Sequence, residues 1–307
     1  MMLRLATRAN VRLILEIIQA TRRCLGGDLE SSLIFAAVSA ANVGQVEDDP
    51  RLARLYADQP VPDDLRRPIR IQRLAESLEL PRETTRMKVH QLLTQGFLVD
   101  TADGLLMSEA PLRSPQFQAM FGAYMVALDE TVERLAVSGA CGLDPGERLA
   151  RPPFPTMWSA VRQVTQHALR GVVILRHHVR PSNLFQSYLV MALAHQTDWG
   201  SGAPRPDAAG TAPQDARLCS ASALAAFTGY PRETVRRNLK TLTQRGWLIQ
   251  EPGGFGLAAP RNAPEGERER EVQRRSGADL VRLIRKLRHV SAIEVRPANP
   301  GPPETAR

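Results

Sequence analysis

Along most of the chain apolar residues recur at intervals of three and four, the spacing of a helix that buries one face. Thr85, Val89 and Leu92 follow it, and so do Val235, Leu239 and Leu242. Pro81 and Pro231 stand ahead of these stripes, where proline suits the first turn of a helix. Glu83 and Glu233 favour the same end through the helix dipole. Gly96 and Gly246 lie just past the stripes, where glycine ends a helix. Beyond them the pattern becomes strand-like on both sides of Asp103-Gly104 and Gly253-Gly254, dipeptides that make hairpin turns. One order is therefore predicted twice: short helix, turn, long helix, β-hairpin.

Other helices are predicted over about 6–23, 156–179 and 278–290. The last is basic, with Leu280, Leu283, Ile284 and Leu287 on its apolar face. It is expected to dock on the body; binding phosphates and contacting a partner stay open. Phe117, Met120, Phe121, Tyr124, Met125, Leu128, Val132 and Leu135 form a further stripe in a connecting segment. That stripe is core if the chain covers it, and otherwise a homodimer face at 113–138. Segments 43–66 and 198–216, rich in Pro, Gly and Asp, read as exposed, partly disordered loops. The charged run 260–276 reads as a solvated linker, and the tail after Arg296 as disordered. The expected class is mainly α with small β-hairpin wings. The expected division is a first unit at 1–110, a connecting segment at 111–150, a second unit at 151–260 and a linker, helix and tail at 261–307.

The two units are copies. At an offset of 150, LPRETTRMKVHQLLTQGFLV (80–99) aligns without gaps with YPRETVRRNLKTLTQRGWLI (230–249). Pro81/Pro231, Arg82/Arg232, Glu83/Glu233, Thr84/Thr234, Arg86/Arg236, Leu92/Leu242, Gly96/Gly246 and Leu98/Leu248 are identical. Upstream, 71–78 aligns with 221–228 and shares Leu74/Leu224 and Ala75/Ala225; downstream, 97–108 aligns with 247–258. At a slightly different offset, 28–42 is similar to 183–197.

These residues resemble the winged helix-turn-helix of bacterial transcription regulators of the GntR and MarR type. Arg232, Thr234, Val235, Arg236, Arg237, Leu239, Leu242 and Gly246 fit the recognition-helix pattern closely. Arg82, Thr84, Thr85, Arg86, Val89, Leu92 and Gly96 fit it less closely, because Met87 replaces the second arginine. Proline replaces the usual small first residue in both copies. The resemblance covers roughly a third of the chain. It implies two tandem units on double-stranded DNA, each with its second helix in the major groove; the matching helices over 6–23 and 156–179 are expected to pack the two units together as an intrachain pseudo-dimer. Arg82, Thr84, Arg86 and His90 would face DNA in the first copy, and Arg232, Thr234, Arg236, Arg237 and Lys240 in the second. Arginine reads guanine bidentately, and threonine meets bases or phosphate. Heads in successive major grooves would stand ~34–36 Å apart. Asp103 at the first wing tip should repel DNA, so the second copy is the expected stronger reader.

Composition fits this picture. The chain has 307 residues, 43% hydrophobic and 23% charged, with a net charge of +8. A basic excess suits a polyanionic partner. Lys88, Lys240 and Lys286 are its lysines; arginine supplies the rest, as a GC-rich bacterial genome would encode. Cys24, Cys141 and Cys219 have neither disulfide nor zinc spacing. His167, His177-His178 and His195 have no carboxylate or cysteine at ligand spacing. No phosphate loop, nucleophile elbow or HExxH is present, so no enzyme, metal or cofactor is expected. Arg4, Arg8, Arg12 and Glu16 break every early apolar run, and no stretch reaches ~20 apolar residues. A cytoplasmic, nucleoid-associated transcription regulator is expected, with a contact to RNA polymerase or another protein left open. Two alternatives remain: a plasmid or phage replication initiator with tandem winged helices, and a winged-helix assembly protein that binds no DNA.

Overall fold

The computed structural model describes residues 2–150, 157–178, 183–197, 218–259 and 263–295. It is mainly helical with small antiparallel strand pairs. In chain order the elements are α1 (Met2–Cys24), α2 (Leu29–Asp48), α3 (Pro50–Leu55), α4 (Ile71–Leu78), α5 (Arg82–Thr94), β1 (Leu98–Thr101), β2 (Gly104–Met107), α6 (Pro115–Val137) and β3 (Glu147–Leu149). There follow α7 (Met157–His178), α8 (Leu184–Gln196), α9 (Ala221–Thr228), α10 (Arg232–Gln244), β4 (Leu248–Glu251), β5 (Gly254–Leu257), α11 (Ala263–His289) and β6 (Ile293–Val295). The two halves run through the same series: a long helix, a capped helix, a short helix, a longer helix, a hairpin and another long helix.

Local causes repeat as well. Asp28 caps α2 by accepting from the Ser31 amide at 2.8 Å, and Asn183 caps α8 by accepting from the Gln186 amide at 2.8 Å. Such caps satisfy donors that a helix start leaves free. Thr85, Val89 and Leu92 are buried on α5, and Val235, Leu239 and Leu242 on α10. Each leucine or valine so buried contributes about 1.5–3 kcal/mol. The Phe97 amide donates to the Leu92 carbonyl and that of Trp247 to the Leu242 carbonyl, turning the chain into β1 and β4.

Each hairpin gains a third edge from the residue just before the N-cap of its short helix. Ile69 bridges Leu105, and Cys219 bridges Phe255. The turns therefore fall at Ala102-Asp103 and Pro252-Gly253, one residue earlier than predicted, and Gly104 and Gly254 open the second strands at φ +135°. A Cβ at Gly104 would stand 2.7 Å from the Ile69 carbonyl oxygen, and one at Gly254 would stand 2.5 Å from that of Cys219. The backbone bridge demands glycine at both places.

The halves share one core, which runs from Ala6 to Ala292. Its centre is α1, buried on nearly every side. Helix α6 lies along α1, and α11 lies along α7; α7 packs on α2, and α8 packs on α1. Helices α1 and α7 cross closely at Gly171, which faces Ile14. Strands β3 and β6 pair antiparallel with Arg148 opposite Glu294 at the centre. Glu147 of β3 meets Arg288 of α11 at 2.5 Å and fixes that corner.

Several expectations change. The stripe from Phe117 to Leu135 is buried against α1, so it is core within the chain and not the dimer face at 113–138 that the alternative required. Segment 43–66 is not a loose loop. Helix α2 continues to Asp48, Asp49 caps α3 by accepting from the Arg51 and Leu52 amides, and Val43, Val46 and Val61 form a small second core. The run from 263 to 276 is not a linker but the first half of α11. Arg274 and Arg275 both pair with Glu271, spacing that supports a solvated helix. The basic end of α11 does dock: Leu280, Leu283, Ile284 and Leu287 are buried. Segment 198–216 and the tail after Arg296 lie outside the described residues.

A charged pair lies inside this fold. Glu47 of α2 is fully buried, and Arg162 of α7 donates to it at 2.6 Å. Arg162 also donates to the carbonyls of Tyr56 and Gln59, while Ser159 and Gln163 donate to Glu47. Removing one partner of a buried pair costs about 3–5 kcal/mol. Arg162→Leu should lose that much in urea unfolding, and Glu47→Leu/Arg162→Leu together should lose less than Arg162→Leu alone. A double variant worse than the single one overturns this account.

Gly254→Ala and Gly104→Ala should each destabilise by about 1–3 kcal/mol, the cost of a side chain in that backbone region. Gly44→Ala, in mid-helix with open space around it, should stabilise by about 0.5–1 kcal/mol. Equal shifts of the unfolding midpoint at all three sites would contradict the bridge as the cause.

Candidate nucleic-acid interface

The apolar stripes fix what α5 and α10 turn outward. Arg82, Arg86 and His90 are exposed on α5, and Arg232, Arg236, Arg237 and Lys240 on α10. Thr84 and Thr234 are half-buried, less open than their spacing predicted. The Thr234 carbonyl accepts from the Asn238 side chain at 2.9 Å. Met87 is 52% exposed, so it serves the surface and not the packing.

The two faces carry the same ion pair. Arg86 meets Glu83 at 2.9 Å, and Arg236 meets Glu233 at 2.7 Å. The hydrogen bond from Arg236 holds the Glu233 carboxyl below its usual range and raises the guanidinium in turn. Each glutamate thus aims its arginine, though water surrounds both pairs and makes them worth little to stability. Lys88 and Asn238, one turn further on, face inward. Lys88 pairs with the Asp28 cap at 3.1 Å, and Asn238 accepts from Gln186 at 3.3 Å. These contacts tie each longer helix to the start of the helix behind it.

The corner between short and longer helix is held from across the molecule. Arg176 of α7 donates to the carbonyls of Leu78 and Glu79, where α4 ends. Glu79 sits there at φ 50°, the left-handed region, where the second copy has Gly229 at φ 69°. Arg22 of α1 donates to the Thr228 carbonyl at 2.6 Å, where α9 ends. Its guanidinium lies 4.2 Å from the Tyr230 ring centre. Gln19 donates to the Phe227 carbonyl at 3.2 Å, and the Leu29 amide donates to the Tyr230 hydroxyl at 3.1 Å. Sequence reasoning missed Arg22, Arg176 and Tyr230. One signal was available: a basic residue near the C-terminal end of the long helix that precedes each unit.

The histidines are dispersed. His167 is buried on α7, with Nδ1 2.6 Å from Asp279 and Nε2 2.5 Å from the side-chain oxygen of Asn10. It gains from the fold the carboxylate its sequence neighbours lack. His195 packs beside Phe227, and burial, with the nearby Arg12 and Arg8, lowers its pKa. His177 lies 3.4 Å from Glu79. Among the described residues no three His, Cys, Asp or Glu side chains converge as metal ligands. Burial pushes the thiols of Cys141 and Cys219 up, and that of Cys24 to about 11, away from the range of a nucleophile. A cavity of about 50 Å³ below the first hairpin is lined by Phe35, Phe117, Phe121, Tyr124 and Trp158. A benzene ring needs about three times that space. Among the described helices none is singly long and apolar enough to cross a membrane. The bent pair α1–α2 passes by length and composition, yet both helices lie in the core.

Comparison with protein-family models, with curated proteins and with solved structures gave no match.

Asp279 joins α11 to α7, because Arg170 also donates to it at 2.6 Å. Burial alone would push this carboxyl up; His167 and Arg170 outweigh burial and hold it below its ordinary value of 3.8. A carboxyl lowered by folding stabilises the fold fully above its unfolded pKa, and that stabilisation is lost as pH falls through the folded value. Thermal midpoints followed from pH ~5 to ~2 should therefore fall more steeply for the native chain than for Asp279→Asn. Parallel curves would remove Asp279 from the acid limb.

Proposed function

We propose that this chain is a double-stranded DNA-binding transcription regulator. In this reading it is built from two winged helix-turn-helix units joined as an intrachain pseudo-dimer. Helices α5 and α10 are the recognition helices, and the two hairpins are the wings. One observation carries the reading: both units turn the same set outward, Arg82 and Arg232, Arg86 and Arg236 with its aiming glutamate, on helices whose opposite faces are fully buried. The N-terminal half of such a helix meets base edges in the major groove. The net charge of +8 supports a polyanionic partner.

The second unit is the stronger reader in this proposal. It adds Arg237 and Lys240 where the first has Met87 and His90, and its wing tip is Pro252-Gly253 where the first has Ala102-Asp103. Genomic fragments should be retarded by the full chain at low salt, with affinity falling steeply as salt rises, because phosphate contacts release counterions. On a bound fragment Arg236→Ala should cost ~1–3 kcal/mol, and less on random DNA. Arg86→Ala should cost less than Arg236→Ala. Equal losses on bound and random DNA would remove base reading from Arg236. Absence of any retardation at low salt would overturn the DNA reading itself.

A further inference from the structure

The geometry points to a DNA site with inverted symmetry: one chain reads an imperfect inverted repeat, with half-sites alike under the arginines that both units share. This rests on the DNA-binding reading above and adds the form of the site.

The argument starts from how the halves touch. In a contact with two-fold symmetry, residue i of one half meets j of the other, and j of the first meets i of the second. Head-to-tail repeats use two different surfaces instead. Here the contacts are exchanged. Arg22 near the end of α1 donates to the corner after α9, and Arg176 near the end of α7 donates to the corner after α4. Helix α7 packs on α2, and α8 packs on α1. Strands β3 and β6, which follow α6 and α11, run antiparallel, and Leu149 faces Ile293 as Glu147 faces Val295. A translation would lay these strands parallel. A two-fold rotation through the Arg148–Glu294 pair lays them as they are.

Two heads related by such an axis meet the two strands of DNA in opposite senses. The matching site is an inverted repeat, because site symmetry mirrors protein symmetry. Heads related by translation would ask for a direct repeat.

The outward residues then set where the half-sites agree. Arg82/Arg232 and Arg86/Arg236 are identical, and Glu83 and Glu233 aim the second pair alike. These positions call for the same base pairs in both halves. Met87 faces out where the other unit has Arg237. Arginine takes the O6 and N7 of guanine, whereas an apolar side chain suits the thymine methyl. The half-site under α10 therefore carries a G·C pair where the half-site under α5 does not.

The test is selection of bound fragments from a pool of random double-stranded DNA by the full chain, with the mass of the complex measured on the winning site. The expected winner is an imperfect inverted repeat holding one chain. Reversing one half-site, so that the repeat becomes direct, should weaken binding about tenfold or more. Met87→Arg should raise guanine in the weaker half-site and make the consensus more symmetrical. A direct repeat, a single half-site or one chain per half-site would overturn the proposal while leaving DNA binding intact. An unchanged consensus for Met87→Arg, in a variant that melts like the native chain, would overturn the assignment of the asymmetry to this position. No enrichment of any sequence, with no retardation at low salt, would overturn the DNA reading and this proposal together.

Discussion

The corners between the short and longer helices depend on carbonyl groups satisfied from the opposite half. A helix end leaves up to four carbonyls without an internal donor. At the ends of α4 and α9 those of Leu78, Glu79 and Thr228 accept from Arg176 and Arg22. Each arginine lies on the long helix that precedes the other unit, so neither corner is complete alone. Arg22 reaches its corner through the stack on Tyr230 and is itself buried. Glu79 illustrates the dependence. A non-glycine residue in the left-handed region costs about 1–2 kcal/mol. Here Arg176 grips its backbone carbonyl while Arg176 and His177 meet its carboxylate. Gly229 adopts the same turn in the second copy without a side chain to hold.

From that exchange follows a single core. The long helices must cross to reach the opposite corners, and they do so where Gly171 lets α7 approach Ile14 of α1. Crossing them buries α1 on nearly all sides and brings polar groups inside, which then need partners. Glu47 finds Arg162, Ser159 and Gln163; His167 finds Asp279 and Asn10. Each network joins a helix of one half to a helix of the other, so the interior charges fix the mutual setting of the halves.

What could be read from the sequence was what is local. The short helix, the longer helix and the hairpin are each written within about a turn or two of their cues, and the repeat at 150 doubled the signal. The outward arginines were legible because a buried stripe leaves few alternatives. Pairings between residues far apart in the chain were not legible. No periodicity links Arg22 to Thr228 or Glu47 to Arg162. Composition misled in two places for a shared reason. Asp49-Pro50 is a turn signal and equally a cap with proline at the first helical position, and here it starts α3. Glu- and Arg-rich residues suit a linker and equally a solvated helix, and the spacing of Glu271 to Arg274 and Arg275 decides for α11. Thr84 and Thr234 sit at the edge of the stripe, where helical spacing alone does not separate half-buried from exposed.

Placing both units in one chain changes what each is free to become. In a homodimer every substitution appears in both heads. Here the residues that make the backbone turn, Leu92/Leu242, Gly96/Gly246 and Gly104/Gly254, are identical, because packing and positive φ impose the same demand twice. Even Lys88 and Asn238, which differ, do similar work by tying their helices to the start of the helix behind. The outward positions carry no such demand. Met87 and Arg237, or His90 and Lys240, differ without disturbing the corners beneath them. A permanent link also removes the entropy cost that two separate subunits meet on associating. In the proposed reading the setting of the two heads is therefore fixed before DNA arrives. That setting follows from the crossed helices, and the heads can differ in strength because the crossing does not depend on what they display.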